Sequence, residues 1–302
     1  MKIAIAGGTG FVGKALVKEL VENNHQVVIL TRNVVSVKGS SKVRYLQWLN
    51  DKANPLNDLQ DTDIFINLAG ESINSGHWTE NRKGKILNSR LDAVKALLNI
   101  MNKLDRKPKA FINASAIGIY GTSLEKVFTE NEEHGLGNDF LANTVKQWEN
   151  EANKASQLGI RTVFCRFGII LDKQEGALSK IAFPYKSFIG GSLGNGQQWM
   201  SWIHINDVVK GIGYIIENEN IHGPVNFTAP QPATMNEFGQ TLASVLHRPH
   251  WLPVPRFALR LLLGEMSTLV VDGQKVLPNK LLEFGYQFKY PELNHALKNI
   301  FS

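Results

Sequence analysis

The spacing of apolar positions changes repeatedly along the chain, and each change marks an element. Lys2–Ala6 is a short apolar run ending in a glycine-rich turn. From Phe11 to Asn23 the side chains Val12, Ala15, Leu16 and Leu20 recur at helical spacing, which buries one face. A second apolar run, Gln26–Leu30, completes a βαβ unit. Further strand-like runs occupy Val43–Leu46, Asp63–Asn67, Ala110–Ala114 and Arg161–Arg166, and helical patterns cover Asn81–Met101 and Asp139–Leu158. Strands alternating with helices predict an α/β fold with a doubly wound parallel sheet covered on both faces.

The turn between the first strand and helix carries Gly7, Gly10 and Gly13. Gly7 permits the turn, Gly10 lets main chain approach a pyrophosphate, and Gly13 lets helix pack on strand. The helix N-terminus adds free N–H groups and a partial positive charge, so the unit is a dinucleotide cradle. The end of the second strand selects the nucleotide. An acid there accepts hydrogen bonds from a ribose 2′-hydroxyl, whereas a 2′-phosphate needs a cation. This chain has Thr31-Arg32-Asn33 and no acid. Arg32 is therefore assigned to a 2′-phosphate, with Thr31, Ser36 and Lys38 as further donors, and the expected cofactor is NADP(H).

Beyond Ile170 the pattern changes to the loop Gly190-Gly191-Ser192-Leu193-Gly194-Asn195-Gly196 and the run Trp199–Asp207. A helix over Val208–Glu217, capped by Asn206 or Asp207, is followed by a strand Val225–Thr228, a helix Met235–His247 and a proline-punctuated tail. This half reads as a smaller α/β substrate-binding cap over residues 171–302, built against a nucleotide-binding domain over residues 1–170, with strands able to return to the first domain. Such a cap closes over ligands at the carboxyl ends of the strands.

Composition narrows the class. The 302 residues are 43% hydrophobic, enough for a large core. The net charge of +6 comes from cations scattered along the chain rather than a Lys/Arg block, so no nucleic-acid partner is expected. The single cysteine, Cys165, lies in an apolar run; no disulfide can form within the chain, and a reducing, cytoplasmic setting is expected. His77, His134, His204 and His247 show no paired ligand spacing, so no metal is expected. No apolar stretch reaches membrane-spanning length.

Together with the glycine turn, Asn67-Leu68-Ala69-Gly70, Ser115-Ala116-Ile117-Gly118-Ile119-Tyr120-Gly121 and Trp202-Ile203-His204-Ile205-Asn206-Asp207 resemble the extended short-chain dehydrogenase/reductases, whose nucleotide domain is of Rossmann type. More closely, Gly70-Glu71, Trp78-Thr79, Ser89-Arg90, Trp148-Glu149, Gly190-Gly191, Ser201-Trp202, Arg248-Pro249 and Gly285-Tyr286-Gln287-Phe288 resemble the atypical NAD(P)-dependent epimerase-like family with a C-terminal domain of unknown function. The resemblance spans nearly the whole chain. It implies cofactor contacts from Gly7, Thr9, Gly10, Phe11, Val12, Gly13, Thr31, Arg32, Leu68, Ala69, Gly70 and Ser115.

The resemblance also implies a Ser or Thr with a Tyr-x-x-x-Lys pair, in which Lys lowers the Tyr pKa. With Glu149 aligned to the acid that follows that lysine, the Tyr and Lys positions fall at Leu141 and Val145, which move no proton. Lys146 is one helical residue away, about 100° around the axis, and does not substitute. The serine falls at Ala116, or one residue earlier at Ser115. Candidate replacements are Ser115 or Tyr120 bonding a substrate oxygen, Arg90 polarising it, and Glu71 or His204 relaying a proton. The expected activity is an NADP(H)-dependent oxidoreductase or epimerase acting on a small carbonyl or hydroxyl substrate. The alternative is a redox sensor or interaction module that binds NADP(H) without turnover. Extended relatives pair through two helices, here Asn81–Met101 and Asp139–Leu158, so a homodimer is a candidate assembly.

Overall fold

The structure is a computed structural model that describes residues 1–33, 40–50, 53–132 and 137–302. Ser36, Lys38 and His134 lie outside the described residues. Strand β1 (Lys2–Ala6), helix α1 (Phe11–Glu22) and strand β2 (Gln26–Thr31) form the first βαβ unit. There follow β3 (Val43–Gln47), β4 (Ile64–Asn67), α2 (Glu80–Lys103), β5 (Ala110–Ala116), α3 (Phe140–Ala152) and β6 (Arg161–Phe167). Asp139, expected at the start of α3, is its N-cap and accepts from the Ala142 N–H at 2.8 Å. The last turns of that pattern tighten into a 3₁₀ helix, Asn153–Leu158.

Each central strand is apolar on both faces, so successive side chains enter different layers. Ile3 and Ile5 of β1 pack with Leu16 and Leu20 of α1, while Ala4 and Ala6 pack with Val94 and Leu97 of α2. Trp148 and Ala152 place α3 in that second layer, so α2 and α3 both turn apolar residues toward the sheet. Full burial of one such aliphatic side chain contributes about 1.5–3 kcal/mol.

After β6 the chain enters the cap through β7 (Ile169–Leu171) and α4 (Ala177–Lys186). It then runs through β8 (Trp202–His204), α5 (Ile205–Glu217), β9 (Gly223–Phe227), α6 (Met235–Leu246), α7 (Arg256–Leu263) and α8 (Leu293–Phe301). The large sheet has order β9-β6-β5-β4-β1-β2-β3, and every pairing in it is parallel. β9 thus returns to the central sheet, and α5 packs its Val208, Ile212 and Ile215 in the layer of α1. A cut at residue 170 therefore does not separate two contiguous units.

Ala6 registers with Leu30 and Asn67, and Ala116 with Phe167, so the strand ends share one edge. The direction of winding reverses between β1 and β4, which opens a crevice at that edge. α4, α6 and α8 share a separate core around Trp202, Phe238 and Leu297. The cap is fastened by Asp207, whose carboxylate accepts from the N–H groups of Lys289 (2.7 Å) and Tyr290 (2.9 Å). Helix α5 starts at Ile205, so Asn206 and Asp207 both lie in its first turn and neither caps it. The cap is His204, whose Nδ1 accepts from the Asn206 N–H at 3.0 Å. Among the described residues no helix is long and apolar enough to cross a membrane.

His204 is 2% exposed and stacks on Tyr290 with ring centroids 4.0 Å apart. Burial pulls its pKa down from 6.5 to about 4. Between those values the unfolded chain binds the proton and the folded chain does not. Stability from this group is therefore complete above about pH 6.5 and lost as pH falls toward 4, by up to about 3 kcal/mol. His204→Asn keeps a capping acceptor and removes the titration. Its Tm should decline less steeply than the wild type between those pH values; parallel declines would show that His204 does not carry the effect.

Candidate functional site

The β1–α1 turn is shaped by contacts that exclude side chains. Gly7 has φ +80°, and a Cβ there would stand 2.6 Å from the Leu68 carbonyl carbon. A Cβ on Gly13 would stand 2.2 Å from the Gly7 oxygen. The turn is thereby pressed against Leu68-Ala69-Gly70, whose course is fixed by Leu68 N–H donating to Ala6 O (2.8 Å) and Ala69 N–H donating to the Asn67 side chain (3.1 Å). No side chain caps α1, and Thr9 and Gly10 are exposed. The first-turn N–H groups thus offer an anion site at the sheet edge.

Arg32 follows β2 and is exposed. Its main-chain oxygen accepts from Gln47, while its guanidinium has no hydrogen bond or ion pair among the described residues. Thr31 Oγ1 is engaged with Asn33 main chain, donating to the oxygen at 3.2 Å. The edge therefore pairs a helix N-terminus with an uncommitted cation, a donor set suited to a phosphorylated dinucleotide.

A cavity of about 310 Å³ continues from the ends of β5 and β6 toward the cap. Its wall includes Arg90, Ala116, Leu141, Thr144, Val145 and Gln274. The positions that the resemblance assigns to Tyr and Lys thus face this cleft as Leu141 and Val145. Ala116, not Ser115, stands at the serine position on the wall. Lys146 turns away and donates to Gly137 O at 2.8 Å.

Of the five proposed chemical residues, Arg90 lines the cleft and the other four do not. Ser115 is 3% exposed and donates to Glu149 Oε1 at 2.5 Å. Tyr120 is 1% exposed, donates to Asn226 Oδ1 (2.8 Å) and accepts from Arg166 Nη1 (2.9 Å); burial raises its pKa. His204 is the helix cap described above. Glu71 is bound by Arg82 at 2.8 Å, which holds its carboxyl below the usual range. The Ser115 and Tyr120 hydroxyls are engaged with buried partners, Glu71 Oε1 is paired with Arg82, and His204 uses Nδ1 to cap α5, while its buried Nε2 has no hydrogen-bond partner among the described residues.

Arg90 Nη1 donates to the main-chain oxygens of Glu71 (3.1 Å) and Ile86 (2.8 Å), and the guanidinium lies 5.1 Å from the Trp148 ring centre. Gly70 makes room for it: a Cβ there would stand 3.2 Å from Arg90 Cζ. Burial lowers the Arg90 pKa to about 10, so the group stays charged at neutral pH. Its Nε and Nη2 have no acceptor among the described residues. The other polar liners are largely committed. Asp139 caps α3, Asp272 pairs with Arg256, Gln274 donates to Ile117 O, and Ser201 bridges Gln274 O and Val276 N.

Thr144 and Trp148 were within reach of sequence reasoning, since with Leu141 and Val145 they form one stripe at helical spacing. Gln274 and Leu269 carry no local signal, because the tail reaches the cleft only through the tertiary fold.

Comparison with known proteins fits this geometry. The family model described as "NAD dependent epimerase/dehydratase family" matches residues 3–143, and "Domain of unknown function (DUF1731)" matches residues 254–300. The chain is 47% identical over 300 residues to the epimerase family protein YfhF of Bacillus subtilis (strain 168), covering 99% of this chain and 98% of that protein. Its fold matches the crystal structure of human epimerase family protein SDR39U1 (isoform 2) with NADPH at TM-score 0.86 and 31% identity, covering 99% of each. It also matches a nucleoside-diphosphate sugar epimerase from Corynebacterium glutamicum at TM-score 0.78 and 27% identity, covering 99% of this chain and 58% of that one. End-to-end identity to YfhF, with the glycine turn in one matched segment and the cleft-closing tail in the other, makes the chain a member of the NAD-dependent epimerase/dehydratase family that carries the C-terminal domain of unknown function.

Proposed function

We propose that the protein binds NADP(H) and acts as an oxidoreductase or epimerase-like enzyme on a small carbonyl or hydroxyl substrate held in the cleft beside Arg90. The observation that carries this reading is the uncommitted Arg32 guanidinium at the end of β2, on the same sheet edge as the uncapped N-terminus of α1. The absence of a Cβ at Gly7 and Gly13 gives that turn the close packing a pyrophosphate cradle needs. NADPH bound in the SDR39U1 structure supports the same assignment.

The cofactor would supply or accept hydride at the substrate carbon. This chain's contribution to a reduction is charge: Arg90 donates from Nε or Nη2 to the carbonyl oxygen and stabilises the negative charge that forms there. Arg90 remains protonated, so the proton that completes the alcohol comes from water. Leu141, Val145 and Trp148 make that part of the cleft apolar, which strengthens the Arg90 interaction. A second reading, cofactor binding without turnover, is favoured by the apolar Leu141 and Val145 at the Tyr and Lys positions.

Arg32→Asp should weaken NADPH binding about 10- to 100-fold with little change for NADH, measured by fluorescence titration. Equal losses would remove the 2′-phosphate assignment. Gly10→Val should abolish binding of both nucleotides while the circular dichroism spectrum and Tm stay close to wild type, because the branched side chain occupies the cradle. Unimpaired binding would place the nucleotide elsewhere. With a carbonyl panel followed by NADPH oxidation, Arg90→Leu should lower kcat about 100-fold or more at unchanged NADPH affinity. Full activity in that variant would exclude Arg90 from the chemistry, and wild-type binding without oxidation of any compound would favour the second reading.

A further inference from the structure

The cap holds a second cavity, of about 340 Å³, bounded by α4, α6 and α7. Ile169 and Leu269 belong both to its wall and to the wall of the Arg90 cleft, so the two spaces adjoin. The chamber wall is aliphatic: Ile181 and Pro184 come from α4, Met235 from α6, Leu259 from α7, and Leu193 and Met200 from the loop and strand between them. Among the residues lining it, Lys180 is the one charged side chain; it is exposed, and its Nζ reaches out to Asn74 O at 3.5 Å. The Tyr185 hydroxyl is engaged with His250 Nδ1 at 2.9 Å.

A diphosphate needs several cations or N–H donors, and a sugar ring needs a polar partner for each hydroxyl. The chamber has neither. It has what a hydrocarbon needs: close aliphatic walls, with Asn74 and Lys180, its polar side chains beside Tyr185, both exposed. Much of the wall, including Val254, Leu259, Leu263 and Leu269, comes from the tail segment matched as a domain of unknown function. The outer face of α7 is apolar as well: Phe257 is 74%, Leu261 88% and Leu262 71% exposed.

On the reading that Arg90 binds the substrate oxygen, we infer that the substrate is a carbonyl or alcohol compound with a hydrocarbon tail, its oxygen in the Arg90 cleft and its tail in the cap chamber. The tail segment of the chain then selects an apolar substrate and excludes nucleoside diphosphate sugars.

The test is calorimetric titration of the full-length protein, with and without NADPH, using methyl ketones from butanone to decanone and UDP-glucose as the polar competitor. Affinity should rise about fourfold per added methylene until the chamber is filled, and UDP-glucose should not bind. Ile181→Trp should stop the rise at a shorter chain and leave NADPH affinity unchanged. Ala177→Leu, a smaller intrusion from the same helix, should do so if the larger ring impairs folding. Affinity independent of chain length, or tighter binding of UDP-glucose than of decanone, would overturn the inference. Chain-length dependence without any NADPH binding would instead overturn the functional reading and leave the apolar chamber standing.

Discussion

The bidentate contact between Arg166 and Glu149 governs the geometry of the Arg90 cleft. Arg166 Nε and Nη2 meet the two carboxylate oxygens at 2.9 and 2.8 Å, with both side chains nearly buried. A buried charge left without its partner costs about 3–5 kcal/mol, so the pair is held together by the penalty of parting as much as by attraction. It joins α3 to β6. Through Ser115 it also reaches β5, and through Tyr120 and Asn226 it reaches β9. Asn226 N–H donates to Glu130 and its side-chain amide to Leu277 O, which extends the network to the tail.

That network fixes the rotation of α3. With Glu149 anchored below the sheet end, Leu141, Thr144, Val145 and Trp148 line the cleft wall. It also explains why hydroxyl groups attractive as catalysts are unavailable. Ser115 and Tyr120 satisfy buried charge, and a polar group doing so cannot also present its proton to a ligand. The cleft is left with an apolar wall and one cation with open donors. The proposed role of Arg90 rests on that difference: its Nε and Nη2 have no acceptor among the described residues, whereas the Tyr120 phenol is engaged with Asn226 and Arg166.

The tail completes the site in a different way. Asp207 draws residues 289–290 onto the start of α5, and the same C-terminal region carries Gln274 and Leu269 to the cleft. A Cβ at Gly273 would stand 2.1 Å from the Trp199 oxygen, so this approach is close packed. The glycine turn and the walls of the cap chamber thus come from opposite ends of the chain, and Ile169 and Leu269 are shared by the chamber and the Arg90 cleft.

The doubly wound sheet and the dinucleotide turn were legible in the sequence because their causes are local. Alternation sets strand faces, helical spacing sets a buried stripe, and glycine is dictated where φ is positive, as at Gly7, or where a Cβ would strike main chain a few residues away, as at Gly13. The place of Arg32 directly after β2 was legible for the same reason. The apolar residues Leu141 and Val145 followed from the Tyr-x-x-x-Lys spacing that the resemblance implies, once Glu149 was aligned to the acid after the lysine. The fate of the polar candidates was not legible. Whether Ser115, Tyr120, Glu71 or His204 faces ligand or a buried partner depends on Glu149, Asn226, Arg82 and Tyr290, each brought close by folding rather than by sequence proximity. The cap chamber belongs to that second class, because its walls come from α4, α6, α7 and the tail, and only tertiary packing places them around one space.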